Sequence, residues 1–181
     1  RAIVEAATVP LGSVPIYDAG VTAAVNRGAV LEMTAGDMLE ALRTHIEDGI
    51  DFVTVHCGIT KRTVKTLKQN PRVCGVVSRG GTFLTHWIDH SGQENPYYER
   101  FDEVIDMLAE ADVVLSLGDG LRPGAIADAF DAPQVEELVV LKELAARALE
   151  AGVQVMIEGP GHVPLSQVAA QVQLEKSLTG G

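Results

Sequence analysis

The sequence predicts an α/β fold with a parallel sheet, and three observations predict it. Apolar, β-branched runs recur along the chain, amphipathic helical patterns alternate with them, and each run ends in glycine or polar residues. Strands covered by helices on both faces read as near-continuous apolar stretches, which is the pattern of "DFVTVHC" (51–57), "RVCGVVS" (72–78), "DVVLSLG" (112–118) and "VQVMIEG" (153–159). These are four predicted strands. An earlier strand is expected near "VPIY" (14–17), where Pro15 restricts it to an edge or a strand start.

Helical periodicity falls at about 36–48, 60–69, 98–110, 134–150 and 164–177. Thr34 or Gly36 can open the first of these, and Gly152 closes the long "VEELVVLKELAARALEAG" helix, since glycine accepts the left-handed conformation at a helix end. With no repeats, low-complexity runs or linker, one domain is expected. A complete eight-stranded (β/α) barrel takes about 250 residues. Four or five strands therefore mean either a smaller open sheet, whose edges must be covered, or the middle of a larger barrel. The start at Arg1 without methionine and the stop just after a helical pattern favour a cut at both ends.

A hydrophobic fraction of 46% with only 4% aromatics suits an aliphatic core. The net charge of -11 excludes general binding to nucleic acid or an anionic membrane by bulk electrostatics, but leaves room for a local basic pocket around one phosphate. No stretch approaches the roughly 20 apolar residues of a membrane span, and no signal-peptide pattern opens the chain, so the expected location is cytoplasmic. Cys57 and Cys74 make neither a disulfide framework nor a three-thiolate cluster motif, and buried, reduced thiols are expected.

What repeats is chemistry at one end of the predicted strands: Tyr17-Asp18, His56-Cys57-Gly58, Ser78-Arg79-Gly80-Gly81, Asp119-Gly120-Leu121-Arg122, and Glu158 through His162. In a parallel α/β sheet the carboxyl ends of the strands share one face, where ligands bind. "SRGG" (78–81) sets consecutive backbone N–H groups beside a guanidinium, which suits a phosphate, although an ordinary βα turn with an exposed arginine reads the same way. In "GDGLRPG" (118–124), Asp119 can accept from hydroxyls, Arg122 can donate to an anion and Pro123 can start a helix; a plain Asp-Gly turn is the competing reading. "EGPGHVP" (158–164) is the most specific: glycines on both sides of Pro160 allow Glu158 and His162 to face one cavity. His162 is then either a metal ligand, an acid/base, or a hydrogen-bonded structural residue, and one histidine alone does not make a zinc site.

The remaining histidines divide by position. His86 and His90 have the i, i+4 spacing of paired metal ligands but lie in the polar connection "THWIDHSGQENPYY" without an intervening H-E-x-x-H glutamate, which favours a surface or interface helix. His45 in "LRTHIEDG" reads as a solvated helix residue, whereas His56 ends a strand on the presumed rim.

Taken together, "VPIYDA", "TVHCGI", "VVSRGGTFLTHWI", "LSLGDGLRPGAIADA" and "VMIEGPGHVPL" occur in the order and at about the spacing of one family. The chain resembles the phosphomethylpyrimidine synthase family of thiamin biosynthesis over nearly its whole length. The resemblance implies a (β/α)8 TIM-type barrel of which residues 1–181 are a partial central portion, with a C-terminal iron–sulfur cluster domain lying outside the chain. It implies radical S-adenosylmethionine chemistry that rearranges 5-aminoimidazole ribonucleotide to 4-amino-5-hydroxymethyl-2-methylpyrimidine phosphate, releasing formate and carbon monoxide. By the same resemblance, Tyr17, His56, Ser78, Arg79, Gly80, Asp119, Gly120, Leu121, Arg122 and Glu158 are substrate contacts, and His162 binds a divalent metal such as zinc.

The cofactors so implied are S-adenosylmethionine, that metal and a [4Fe-4S] cluster. The family's cluster is held by a cysteine triplet near the C-terminus, and neither Cys57 nor Cys74 has that spacing, so residues 1–181 by themselves are expected to bind no cluster and to turn nothing over. A second metal histidine and a further substrate tyrosine are expected beyond Gly181, with asparagine and methionine contacts before Arg1. A homodimer is implied, the cluster domain of one subunit closing over the barrel of the other. The related hydroxybenzimidazole synthases take the same ribonucleotide to a different product, and these 181 residues do not separate the two. A metal-dependent hydrolase barrel is disfavoured by its shortage of ligands, and a nucleotide-binding module with no catalysis of its own is the non-enzymatic alternative.

Overall fold

The computed structural model describes residues 1–159 and 161–180; the backbone course expected at Pro160 lies outside the described residues. The chain runs α1 (Ala2–Ala6), β1 (Gly12–Ser13), α2 (Pro15–Arg27), α3 (Ala35–Glu47), β2 (Phe52–Val55), α4 (Lys61–Gln69), α5 (Arg79–Ser91), α6 (Pro96–Glu99), α7 (Phe101–Ala111), β3 (Val114–Leu117), α8 (Ala132–Glu150), β4 (Val155–Ile157) and α9 (Leu165–Thr179). Short 3-10 turns cover Val30–Glu32 and Ile126–Asp128. The four strands form one parallel sheet in the order β1-β2-β3-β4, so each crossover delivers the chain to the adjacent strand.

The strands form where the β-branched runs stand. Val53, Val55, Leu115 and Leu117 are fully buried beneath Leu42, Leu84, Phe101, Leu108, Leu141 and Leu144 of the covering helices. Burying each such leucine or valine contributes about 1.5–3 kcal/mol relative to exposure. On β4, the outer strand of the described sheet, Met156 is 44% exposed. The helix boundaries follow local chemistry as expected from sequence. Thr34 caps α3 through a reciprocal box in which its Oγ1 accepts from the Asp37 N–H (3.1 Å) and the Asp37 carboxylate accepts from the Thr34 N–H (2.7 Å). Gly152, at φ 84°, follows the end of α8.

Four expectations are corrected. Residues 72–78 form no strand, because β2 pairs directly with β3 and leaves no room between them. The N–H groups of Val73 and Cys74 donate instead to the Asp128 carboxylate (3.0 and 3.1 Å), and Val73, Cys74 and Val77 are exposed. Cys74 is therefore not the buried thiol expected, whereas Cys57 is buried. "VPIY" is not a strand either. Proline is preorganised for the first helical position and has no N–H to waste there, so α2 starts at Pro15 and takes Tyr17 with it, leaving β1 as Gly12–Ser13. Pro123 starts no α-helix: α8 begins at Ala132, where the N-cap Asp131 accepts from the Gln134 N–H (3.1 Å).

Candidate functional site

Parallel pairing puts the ends of β2, β3 and β4 on one edge of the sheet, followed by His56, by Gly118-Asp119 and by Glu158. Glu158 continues the ladder, its N–H donating to the Leu117 carbonyl (3.0 Å). Its Oε1 accepts from Thr54 Oγ1 and Ser116 Oγ, both at 3.3 Å, so the carboxylate turns back across the neighbouring strands.

Helix α5 enters this edge from the side. Its N-cap Ser78 accepts from the Gly81 N–H (3.2 Å), and the same hydroxyl lies 3.3 Å from His56 Nε2. A Cβ on Gly80 would overlap the His56 ring, and one on Gly81 would overlap the Gly120 carbonyl. The "SRGG", "HCG" and "GDG" turns are thus in van der Waals contact. Arg79 is exposed, its guanidinium 5.2 Å from the centroid of the Tyr17 ring, which packs edge-on against Phe83 at 6.1 Å. Tyr17 reaches the cluster through this contact from α2 rather than from a strand end. The N–H groups of Arg79 and Gly80, at the start of a 13-residue helix, find no acceptor among the described residues. Such N–H groups, with the positive end of the helix dipole, suit an anion.

The remaining turn closes on the others. Gly161 lies so near that a Cβ there would overlap the Asp119 carboxylate and come within 2.8 Å of Arg122 Cβ. Arg122 Nη1 donates to Asp119 Oδ1 (2.9 Å). His162 Nδ1 donates to the Pro123 carbonyl (2.7 Å), and its φ of 53° is unusual for a residue with a side chain. A small cleft between α8, α9 and these turns is lined by Asp119, Glu137, Glu158, Gln171 and Glu175. Gln171 is 5% exposed and its Nε2 has no partner among the described residues.

Burial sets the protonation states. It drops His56 to about 4, with the Arg122 charge adding to the effect, so the ring is neutral near pH 7. The His56 Nδ1 atom is buried without a partner among the described residues. Asp119 is raised by burial against the pull of Arg122, with the Glu158 charge raising it further and His162 lowering it. The structure therefore brings Ser78, Gly80, His56, Asp119, Arg122, Glu158 and His162 together. Leu121 differs: its side chain is in the core, and its N–H donates to Glu137 (2.7 Å).

Sequence reasoning missed three residues. Buried Asn95 donates to the His56 and Ile59 carbonyls (2.9 and 2.7 Å) and so fixes the turn after β2; its Asn-Pro dipeptide was the available signal. Glu137 and Arg72 hold the turn after β3 and carried no comparable mark. His45, expected to be solvated, is half-buried with Nδ1 2.8 Å from Ser13 Oγ. His86 and His90 are exposed on α5, as expected for a surface helix.

For a metal, His162 fits as one ligand: donation through Nδ1 leaves Nε2 free, the arrangement by which a backbone carbonyl orients a ligating imidazole. No group of three or more His, Cys, Asp or Glu side chains able to hold a metal occurs among the described residues. The cysteines do not fit a cluster, since burial pushes the Cys57 thiol up while Cys74 is exposed elsewhere. No helix among the described residues is long and apolar enough to cross a membrane.

Residues 1–181 match the radical SAM ThiC family from end to end. The chain belongs to that family. It is 50% identical over 181 residues to phosphomethylpyrimidine synthase from Desulforamulus reducens, covering 100% of this chain and 42% of that protein. The Dehalococcoides mccartyi (strain CBDB1) phosphomethylpyrimidine synthase is 54% identical over 178 residues, 98% of this chain and 41% of the relative. The phosphomethylpyrimidine synthase of Thermococcus kodakarensis is 51% identical over 179 residues, 99% and 42% respectively. The chain thus spans about 42% of the length of the curated relatives it matches.

The depressed His56 predicts an acid sensitivity. An unfolded histidine takes up a proton below its ordinary value of 6.5, but the folded one does not until about 4, so acid favours the unfolded state. The stability due to neutral His56 is complete above that ordinary value and is lost as the pH falls through the folded one, an effect of about 3 kcal/mol. Denaturant unfolding followed across this window should show the loss, and the His56→Gln variant should flatten it.

Proposed function

We propose that this chain is the substrate-binding part of a phosphomethylpyrimidine synthase, an enzyme that converts 5-aminoimidazole ribonucleotide and S-adenosylmethionine to 4-amino-5-hydroxymethyl-2-methylpyrimidine phosphate. The by-products would be formate, carbon monoxide, 5′-deoxyadenosine and methionine, in thiamin biosynthesis. The observation that carries the reading is the contact of the turns after β2 and β3 with the first turn of α5 around His56, with the turn after β4 packed on Asp119 and Arg122, in a chain of the ThiC family. In this reading the four strands are part of a (β/α)8 barrel in a cytoplasmic homodimer. S-adenosylmethionine and a [4Fe-4S] cluster, when bound through residues outside this chain, supply the one-electron chemistry.

This chain's own residues then bind and orient the ribonucleotide. Arg79 and the free N–H groups at the start of α5 take the phosphate, through charge-assisted bonds at a helix N-terminus. The Asp119 and Glu158 carboxylates accept from ribose hydroxyls, with Arg122 holding Asp119 in place. The unpartnered Nδ1 of neutral His56 orients the aminoimidazole, and Tyr17, stacked by Arg79, closes the side. Gly80, Gly120 and Leu121 contribute the shape of the turns. His162 offers Nε2 to a divalent metal such as zinc, whose other ligands come from elsewhere.

Calorimetry of the full-length protein with 5-aminoimidazole ribonucleotide tests the reading. Binding by the wild type and a loss of about 1.5–3 kcal/mol in the Arg79→Ala variant are expected, the size of a charged hydrogen bond. Unchanged affinity in a folded variant would remove Arg79 from the site. Mass spectrometry of the turnover product separates the pyrimidine phosphate from a hydroxybenzimidazole.

Metal analysis of three single variants of the same protein makes a separate check. Occupancy should fall for His162→Ala and stay at the wild-type level for His86→Ala and His90→Ala. An equal fall in either α5 variant would contradict the assignment.

A further inference from the structure

We propose that Glu137 and Arg72 are positioning residues that clamp the backbone of Leu121 from both sides and so hold Asp119 and Arg122 in their ligand-facing pose. This assignment rests on the ribonucleotide-binding reading above and adds two residues to it that touch no substrate.

Glu137 stands in the second turn of α8 and is 2% exposed. One carboxylate oxygen accepts from the Gly120 N–H (2.9 Å) and the other from the Leu121 N–H (2.7 Å). A buried carboxylate is costly unless its lone pairs are satisfied, and here both oxygens are given to this single turn. Burial pushes Glu137 up, and the Leu121 and Gly120 N–H groups with the Arg72 charge pull it back toward the ionised form that accepts both bonds.

Arg72 approaches the same residue from the opposite side. Its side chain is 1% exposed, and Nη2 donates to the Leu121 carbonyl at 2.6 Å. Nη1 lies 3.4 Å from the Arg122 carbonyl, while Nε and Nη2 form a two-pronged pair with Asp131 at 2.6 and 2.7 Å. Asp131 is itself the N-cap of α8. The donor and the acceptor of Leu121 are thus held by a carboxylate and a guanidinium that are both anchored to one end of α8. With the Leu121 side chain buried in the core, the turn has little freedom left, and Asp119 and Arg122 project from it paired with each other at 2.9 Å.

The conservative substitutions separate positioning from bulk. Glu137→Gln keeps size but sets an NH2 group against one of the two N–H donors, whereas Glu137→Asp keeps both acceptor oxygens. Arg72→Lys keeps charge but not the fork that reaches Asp131 and Leu121 together.

The test is calorimetry of the full-length protein with 5-aminoimidazole ribonucleotide, well below the unfolding temperature, with hydrogen exchange of the 118–124 segment followed by mass spectrometry. Glu137→Gln should weaken binding about tenfold and speed exchange at Gly120 and Leu121 by about tenfold, with partial recovery of affinity in Glu137→Asp. In an Arg122→Ala background the further loss from Glu137→Gln should shrink to about threefold or less, because the group it positions is gone. The same tenfold loss in both backgrounds, or faster exchange with unchanged affinity, would overturn the proposal. If Glu137→Gln does not fold, Arg72→Lys carries the same comparison. If the wild type does not bind the ribonucleotide, the proposed function falls, and the clamp is then judged on exchange alone: faster exchange in the variant supports it and unchanged exchange overturns it.

Discussion

Helix α5 can approach the ends of the strands only because its first turn carries no side chain at positions 80 and 81. Any Cβ at Gly80 would occupy the space of the His56 ring, and one at Gly81 would occupy that of the Gly120 carbonyl. From this steric condition the rest of the arrangement follows. The close approach brings the Ser78 hydroxyl to His56 and removes the ring from water, which makes it neutral. It also leaves the first N–H groups of the helix pointing at the same rim as the carboxylates that end the neighbouring strands. N–H donors and carboxylate acceptors are thereby set side by side in a protein whose net charge is strongly negative.

Charge within the molecule is concentrated where backbone must be held. Asp128 takes the N–H groups of Val73 and Cys74, and Asp131 takes Arg72. These acidic residues sit in the stretch between β3 and α8, a region with one short 3-10 turn and no strand. Irregular backbone needs partners for its polar groups as much as a sheet does. Here ionised side chains supply them, and two loops far apart in sequence become one braced layer.

Much of this was legible in the amino-acid order. The strands at 52–55, 114–117 and 155–157 fall inside predicted runs, because valine and leucine in unbroken series at a parallel sheet are hard to read otherwise. "RVCGVVS" has the same composition and forms none, since the decision was made by Asp128, more than 50 residues away, which no local window contains. The stretch around His86 and His90 read as a surface or interface helix, but the first turn of α5 was hidden by its own glycines, which lower helix propensity where packing requires them. Of the five predicted strand-end motifs, those at His56, Asp119 and Glu158 do follow strands, whereas Tyr17-Asp18 and Ser78–Gly81 stand at the starts of helices. Glu137 did not stand out, because within "VEELVV" it looks like one of two solvated glutamates, and only the fold shows that it faces inward.

The strict β1-β2-β3-β4 order has one more consequence. Neighbouring strands lie about 4.8 Å apart because peptide hydrogen bonds fix that distance. The groups that follow β2, β3 and β4 are therefore spaced like marks on a ruler, graduated by the backbone itself. The crossovers between them differ widely in length, from 58 residues separating β2 and β3 to 37 separating β3 and β4. An insertion at an exposed point of a crossover lengthens the chain without altering the graduation, so the pitch between His56, Asp119 and Glu158 does not depend on how much chain lies between the strands.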